Sequence, residues 1–412
     1  MLGRMIIALR QADWLDQSRA RGYRVVLVIM LFGGAAGWIL LSRHGVDRAG
    51  KPLGTDFLAF WSAARLALAG TPEAAWNLAR LAATERAAMP VDPGASSFLY
   101  PPPFLLVCLP FGSIPYFIAL PLWLTLTGVS YFAVIRRWLP AHCGAILTIA
   151  AFPAVMTNLG HGQNGFLTAA LLGSGLWLLD RRPLVAGLLL GALIIKPQIA
   201  LAVPVLLVAG GHKRASLAAV ISAATFCAAA TFCFGGRVWS AFLNGAGLGR
   251  AILDHGLVEP EKMVSSFAAL RVLHAAPAVA YSGQMLVAAI AALALIRLAR
   301  ARAAPAGGAA ALTVAVTLLM SPFLLDYDLT ATAIPLAWLF SEGMRRGFRP
   351  WEKSTLALSY ILPLIARPLA LATGLPTAPL ILGMLAVAVA RAALPERETA
   401  KPPARSKATA FG

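Results

Sequence analysis

Charged residues are scarce in this chain of 412 residues, and acidic residues are the scarcest. Asp and Glu number 17 and Lys and Arg 35, so charged residues make up 13% of the chain. Soluble domains carry about 25%. Hydrophobic residues make up 59%, and the mean hydropathy is +0.75. This composition argues against a soluble domain and favours a membrane protein.

Several functional motifs are also missing. The chain has no Walker motif, no Gly-rich dinucleotide loop, no HExxH and no internal repeat of the kind that transporters show. The acids are scattered, and no His/Asp cluster has ligand spacing, so we expect no metal and no cofactor. Four cysteines form no CxxC and are expected to be small packing residues: Cys108, Cys143, Cys227 and Cys233.

The net charge of +18 does not indicate nucleic-acid binding, because the basic residues lie in short clusters between apolar runs. Such clusters set membrane topology. The apolar runs themselves are mostly long enough for a bilayer of about 30 Å. The sequence therefore predicts an all-α polytopic membrane protein with roughly 10–12 spans. We place them at 25–42, 116–135, 141–157, 164–179, 183–209, 215–235, 278–297, 308–325, 327–341, 354–372 and 375–394.

The basic clusters predict the orientation. They place a basic amphipathic segment, 1–24, and a tail, 395–412, in the cytoplasm, with the membrane domain at 25–394 between them. The N-terminal segment lacks the features of a signal peptide. Two large loops, 43–98 and 236–276, then lie outside. For the clusters to share one side, residues 98–115 must dip into the membrane from outside and return; a full crossing is the alternative.

The stretch GTDFLAFWSAARLALAG, residues 54–70, holds one carboxylate, Asp56, among apolar residues. Its spacing predicts an amphipathic helix at the outer membrane surface, with Asp56 at its N-terminal end. A carboxylate there suits the helix dipole as a cap or first-turn acid. It is equally a candidate general base for a hydroxyl group.

Other polar residues interrupt apolar runs at intervals along the chain. Each has a structural alternative: a rigid turn, a polar turn or a helix end. Lys196 lies in the KPQ break of the span 183–209, where Pro197 predicts two half-helices or a hairpin. A lysine at this depth costs about 2.5–3.5 kcal/mol. It either binds a phosphate or pairs with a structural acid. Of the two acids in DYD, Asp326 and Asp328, at most one is expected to face a site.

The motifs, in chain order, resemble those of a known family. DFLAFWSAARLALAG, AAWN, YPPPFLLVCLP, GHGQNG, KPQ, SSFAALR and SPFLLDYDLTATAIP run through most of the chain. Each motif is short. Together they resemble GT-C-type integral membrane glycosyltransferases of family 87 (DUF2029), the polyprenyl-phosphate-mannose-dependent α-mannosyltransferase group. One departure is FLLDYD, where many family members carry Trp and then His, so a histidine role is not carried over there.

The resemblance implies an inverting transfer of a sugar, mannose in the family, from a polyprenyl-phosphate donor to a lipid or glycan hydroxyl. The reaction would occur at the outer face of a bacterial inner membrane and need no nucleotide. Asp56 matches the family's general base. Cations for the donor phosphate are expected at Lys196, Arg271 and Arg65. Sugar and acceptor contacts are expected at Tyr100, His161, Gln163, Asn164, Gln198, Asp326 and Asp328. A transporter or flippase of lipid-linked sugars is the alternative.

Overall fold

The computed structural model describes residues 2–94, 96–141, 144–256, 258–301 and 307–394. Cys143 and the predicted tail 395–412 lie outside the described residues. Within these ranges the chain is helical, with no strand. The first helices are α1 (Leu2–Gln11), α2 (Gln17–Leu40), α3 (Thr55–Leu68), α4 (Leu78–Ala88), α5 (Pro102–Gly112), α6 (Tyr116–Trp138), α7 (Ala145–Ala150), α8 (Pro153–His161) and α9 (Gly165–Leu178).

The second half follows with α10 (Pro183–Gly191), α11 (Val203–Ala209), α12 (Lys213–Phe234), α13 (Arg237–His255), α14 (Ser266–Val272), α15 (Pro277–Ala299), α16 (Gly308–Met320), α17 (Ala333–Arg346), α18 (Glu352–Thr373) and α19 (Ala378–Ala393). Short 3₁₀-helices cover Pro72–Trp76, Ala192–Ile195, Pro197–Ala200, Pro260–Lys262 and Asp326–Thr332.

In the described ranges, five helices are long and apolar enough to cross a membrane: α2, α6, α12, α15 and α18. They account for five of the eleven predicted spans. The first of them starts earlier than predicted, at Gln17, because the Asp16 side chain accepts a hydrogen bond from the Arg19 N–H and caps the helix. Residues 17–24 of the predicted segment 1–24 therefore belong to the first of the long apolar helices, α2.

The remaining apolar segments form short helices instead of single spans. The predicted span 141–157 is two helices, α7 and α8, because Pro153 cannot continue a helix from the preceding turn. The predicted span 308–325 ends at Met320, just before Ser321-Pro322. The predicted span 327–341 starts as a 3₁₀ turn, Asp326–Thr332, before α17. Burial differs among these short helices: nearly every residue of α16 is buried, whereas Ile146 of α7 is exposed.

The break in the predicted span 183–209 is confirmed. The helix α10 passes into a 3₁₀ turn that ends at Lys196, whose backbone is non-helical, with φ −149° and ψ 74°. Pro197 then begins a second 3₁₀ turn before α11. This break places the Lys196 side chain in the protein interior, where it is 1% exposed.

A cluster of hydrophobic side chains surrounds α3. The predicted helix is present, but its side chains are buried on nearly all sides, whereas the spacing predicted a single apolar stripe. Aromatic side chains from the neighbouring helices α5 and α6 pack around Phe57 and Phe60. Gly112 of α5 allows the two backbones to meet, since a Cβ there would lie 2.6 Å from the Cβ of Ala64.

The two predicted outer loops meet at one end of the molecule. The ring of Trp76, from the first loop, lies 6.3 Å from that of Phe242 on α13. In the second loop, the Val264 N–H donates to the Leu324 carbonyl at 2.9 Å. That contact fixes residues 263–265 beside the turn Asp326–Thr332. The polar motifs of the sequence are therefore gathered around this end.

Candidate active site

Asp56 lies in the first turn of α3. The N-cap is Gly54, with φ 72°, and it gives no side-chain cap, so Asp56 is a first-turn acid and not the cap. The carboxylate is 34% exposed, and its Oδ2 accepts a hydrogen bond from Nε2 of Gln163 at 3.1 Å. A carboxylate in the first turn is favoured by the helix dipole. Asp56 is therefore held on one side and open on the other.

The amide of Gln163 has a fixed orientation. Its Oε1 accepts hydrogen bonds from the Tyr100 hydroxyl at 3.0 Å and from the Asn164 N–H at 2.7 Å. With the oxygen occupied by two donors, the NH₂ group must face Asp56. The turn between α8 and α9 makes this possible, because Gly162 ends α8 with φ 65°. Three residues predicted separately, Tyr100, Gln163 and Asp56, thus form one chain of hydrogen bonds.

His161 lies beside the candidate base. Its Nδ1 is 3.8 Å from Oδ2 of Asp56 and 3.1 Å from the hydroxyl oxygen of Thr55, and the side chain is 35% exposed. The Thr55 hydroxyl also lies 3.4 Å from Oδ1 of Asp56, so it bridges the imidazole and the carboxylate. A histidine placed so close to a carboxylate is positioned to act with it in acid–base chemistry.

Lys196 has an internal partner. Its Nζ donates to Oδ1 of Asp328 at 2.6 Å and to Oδ1 of Asn164 at 3.0 Å, and both charged side chains are 2% exposed. Its ammonium also faces the rings of Tyr327 and Tyr100, at 5.0 and 5.8 Å. The predicted role in binding a donor phosphate does not fit this geometry, because the charge is neutralised and enclosed. Pairing with a structural acid is what the structure shows.

The two acids of DYD point different ways, as their spacing predicted. Asp328 is enclosed with Lys196, and its Oδ2 accepts from the Leu325 N–H at 3.3 Å. Asp326 is half-buried, bonds to the Tyr327 N–H at 2.8 Å and lies within electrostatic reach of His161. Asp326 is therefore the partly exposed acid of this pair, and His161 acts on it electrostatically.

The structure does not place the other two predicted cations with Asp56. Arg65 follows Asp56 by nine residues on the same helix, which puts it about 13 Å along the axis and on the opposite face. Its guanidinium contacts the Gly112 carbonyl at 3.5 Å and the ring of Trp61. Arg271 donates to the carbonyls of Ala275 at 2.6 Å and Asp254 at 3.4 Å. Ser265 caps its helix as expected.

Gln198 is half-buried in the turn Pro197–Ala200, and its role stays a prediction. Sequence reasoning missed Thr55, which is adjacent to Asp56. It also missed Arg367 on α18, whose charge acts on Asp326. The signal for Arg367 was present, since an ionisable residue inside the apolar run LPLIARPLAL marks a functional position in a membrane protein.

These residues make a partly exposed acid–base site. A partly exposed carboxylate accepts a fixed amide hydrogen bond, and a histidine lies beside it. Such a carboxylate can take a proton from a hydroxyl group that enters from the open side. The buried Lys196–Asp328 pair lies behind it and reaches it through Asn164 and Gln163.

Comparison with known proteins gives the family. The model of glycosyltransferase family 87 matches residues 98–322, which is more than half of the chain. The match includes Tyr100, the GHGQNG turn and Lys196, whereas Asp56 lies before it and Asp326 after it. No curated protein and no solved structure matches the chain. This all-helical membrane protein is a glycosyltransferase, and the chain belongs to glycosyltransferase family 87.

Proposed function

We propose that this glycosyltransferase moves a sugar from a polyprenyl-phosphate donor to a hydroxyl group of a lipid or glycan acceptor, with inversion at the anomeric carbon. The proposed sugar is mannose, following the resemblance of the motifs. The proposed location is the outer face of a bacterial inner membrane, with both termini in the cytoplasm. Residues 98–115, which hold the 11-residue helix α5, are proposed to re-enter the membrane and return.

The observation that carries the proposal is the geometry of Asp56. Its carboxylate is partly exposed at a helix N-terminus, and the fixed amide of Gln163 holds one oxygen. In the proposed reaction, the acceptor hydroxyl gives its proton to the Asp56 carboxylate as its oxygen attacks the anomeric carbon. The bond from that carbon to the phosphate oxygen breaks, and the lipid phosphate leaves with the bonding electrons. The proton then passes to solvent, directly or through His161.

The surrounding polar groups support this assignment. The transition state of glycosyl transfer is oxocarbenium-like, so carboxylates near the sugar ring stabilise it. Asp56 lies 3.8 Å from His161, and His161 also acts electrostatically on Asp326. The open sides of these groups are suited to sugar and acceptor hydroxyls. Tyr100, Asn164 and Asp328, by contrast, act behind the opening and hold the base in place.

The experiment is a transfer assay on the purified protein, with a radiolabelled polyprenyl-phosphate-mannose donor and a lipid extract as the acceptor pool. Asp56→Asn keeps the size of the side chain and removes the base, and removing a general base lowers rates by about 10²- to 10⁴-fold. Asp92→Asn is the matched control, because Asp92 is an exposed acid in the same predicted loop. Product from wild type and Asp92→Asn, with almost none from Asp56→Asn, supports the proposal. Equal product from all three proteins refutes Asp56 as the base.

A further inference from the structure

Cationic side chains are needed wherever a lipid phosphate leaves, and the enclosed Lys196 does not meet that need. Its ammonium is already bonded to Asp328 and Asn164. An incoming phosphate would have to displace a carboxylate at 2.6 Å in a region closed to solvent. Breaking a buried ion pair in this way is strongly unfavourable. The phosphate-binding cation must therefore be one that a ligand can reach.

Arg367 is reachable and lies next to the site. It is on α18, which packs against α8 and against the turns Asp326–Thr332 and Pro260–Lys262. Two of these elements carry His161 and Asp326. The Arg367 side chain is 40% exposed, and its charge acts on the Asp326 carboxyl. Arg367 is therefore an exposed cation on the helix that packs against the elements carrying His161 and Asp326.

The present partner of Arg367 is weakly held. Its NH2 group donates to Oε2 of Glu259 at 2.6 Å, and the Glu259 side chain is 59% exposed. Exposed ion pairs are worth about 0–1 kcal/mol, so an anion can replace this carboxylate. The Nε of Arg367 is buried and has no hydrogen-bond partner among the described residues. The accessible part of the guanidinium is the side that now binds Glu259, and a planar guanidinium is suited to two-point binding of phosphate.

The chain that follows Glu259 leads to the turn that carries Asp326. Glu259 precedes the turn Pro260–Lys262, and the next residues pair with residues 324–325 through Val264 N–H and the Leu324 carbonyl. If the Glu259 side chain moved away from Arg367, the guanidinium would be exposed, and the hydrogen bond between Val264 and Leu324 would stay intact. The Glu259 carboxylate thus occupies a position on the guanidinium that a phosphate oxygen could take.

We propose that Arg367 binds the phosphate group of the lipid donor and that Glu259 is the counter-ion which this phosphate displaces. The proposal rests on the proposed function for the identity of the donor. It adds a binding residue on α18, outside the part of the chain that the family model matches.

The test measures binding without turnover. The purified full-length protein in detergent is titrated with sugar-free polyprenyl phosphate, with uncharged polyprenol of the same length and with inorganic phosphate. The variants are Arg367→Gln and Glu259→Gln. Arg250→Gln is the matched control, since Arg250 is an exposed arginine paired with an acid, Asp254. Both lie in the predicted outer loop 236–276, which also holds Glu259. Thermal unfolding of each variant checks that it is folded.

Arg367→Gln is expected to weaken binding of polyprenyl phosphate about 10- to 100-fold, the effect of losing hydrogen bonds to a charged group. Polyprenol binding should not change. Glu259→Gln is expected to strengthen binding a few-fold, because the competing carboxylate is removed, and Arg250→Gln should match wild type. Inorganic phosphate that binds as tightly as the lipid would assign the site to free phosphate and refute the lipid donor.

Two results would overturn the proposal: unchanged affinity in folded Arg367→Gln, or equal losses in Arg367→Gln and Glu259→Gln, which would mark the pair as structural. The transfer assay separates this test from the proposed function. Sugar transfer by wild type with normal donor affinity in Arg367→Gln rejects Arg367 alone. Lipid-phosphate binding that depends on Arg367 in a protein that transfers no sugar rejects the proposed reaction alone.

Discussion

The buried pair of Lys196 and Asp328 gives the sharpest prediction. The two charges are 2.6 Å apart and 2% exposed. At an effective dielectric constant of about 20, two unit charges at this distance attract by about 6 kcal/mol, before the cost of desolvation. Removing one partner leaves the other charge buried, at a cost of about 3–5 kcal/mol. Lys196→Met and Asp328→Leu should each lose that much stability, whereas the double variant should recover most of it.

The assay is thermal or denaturant unfolding of the purified protein in one detergent, for wild type, both single variants and the double variant. Such a cycle isolates the coupling of the two side chains. Activity is measured in parallel. If Lys196 is a structural partner, the stable double variant keeps binding of polyprenyl phosphate. Additive losses in the cycle, with coupling below about 0.5 kcal/mol, would refute the reasoning. So would a Lys196→Met variant as stable as wild type that no longer binds the lipid phosphate.

Three further predictions concern Gln163, Gly165 and Glu85. Gln163→Met should lower the maximal transfer rate about 10- to 100-fold in steady-state kinetics, because the candidate base loses a hydrogen bond worth about 1.5–3 kcal/mol; an unchanged rate would contradict that role. Gly165→Ala should lower the free energy of unfolding by about 1–3 kcal/mol, since its Cβ would lie 2.5 Å from Oδ1 of Asn158. The control Gly160→Ala has open space and should not be destabilised. Glu85 is fully buried in α4, and burial raises the pKa of its carboxyl to about 7 from 4.5. The native state holds that proton more tightly than the unfolded state, so stability should fall as pH rises from about 4.5 to about 7, and melting curves of Glu85→Gln should lack this fall.

Local rules predicted the parts of the site that depend on neighbouring residues. A single acid at the start of an apolar helix indicated Asp56, and the GHGQNG motif indicated a polar turn, which lies between α8 and α9. Pro197 dictated the break that buries Lys196. Each of these inferences uses residues within one or two turns of each other, which is the range over which backbone sterics and helix geometry act. The structure then joins Tyr100, Gln163 and Asp56 by contacts that the spacing alone could not give.

The contacts that the sequence could not give lie between distant segments. Lys196 and Asp328 are 132 residues apart, and no local rule selects that partner. Hydropathy counts apolar residues but does not separate contact with lipid from burial in protein, so it could not show that nearly every residue of α16 is buried. The facing of a side chain is also set by the fold: Arg65 lies about two and a half turns beyond Asp56, on the opposite face of the same helix.

The two cations Lys196 and Arg367 differ in how exchangeable their acidic partners are. A group that binds a donor and releases a product in every cycle needs a partner that it can exchange. Arg367 has such a partner in the exposed carboxylate of Glu259, whereas the enclosed pair of Lys196 would have to break at a cost of several kcal/mol in each turnover. Lys196 instead reaches Asp56 through Asn164 and Gln163, so its charge fixes the base. The proposed inverting reaction places the acceptor hydroxyl and the leaving phosphate on opposite sides of the anomeric carbon. It therefore calls for a base and a phosphate-binding cation that are separate groups, as Asp56 and Arg367 are.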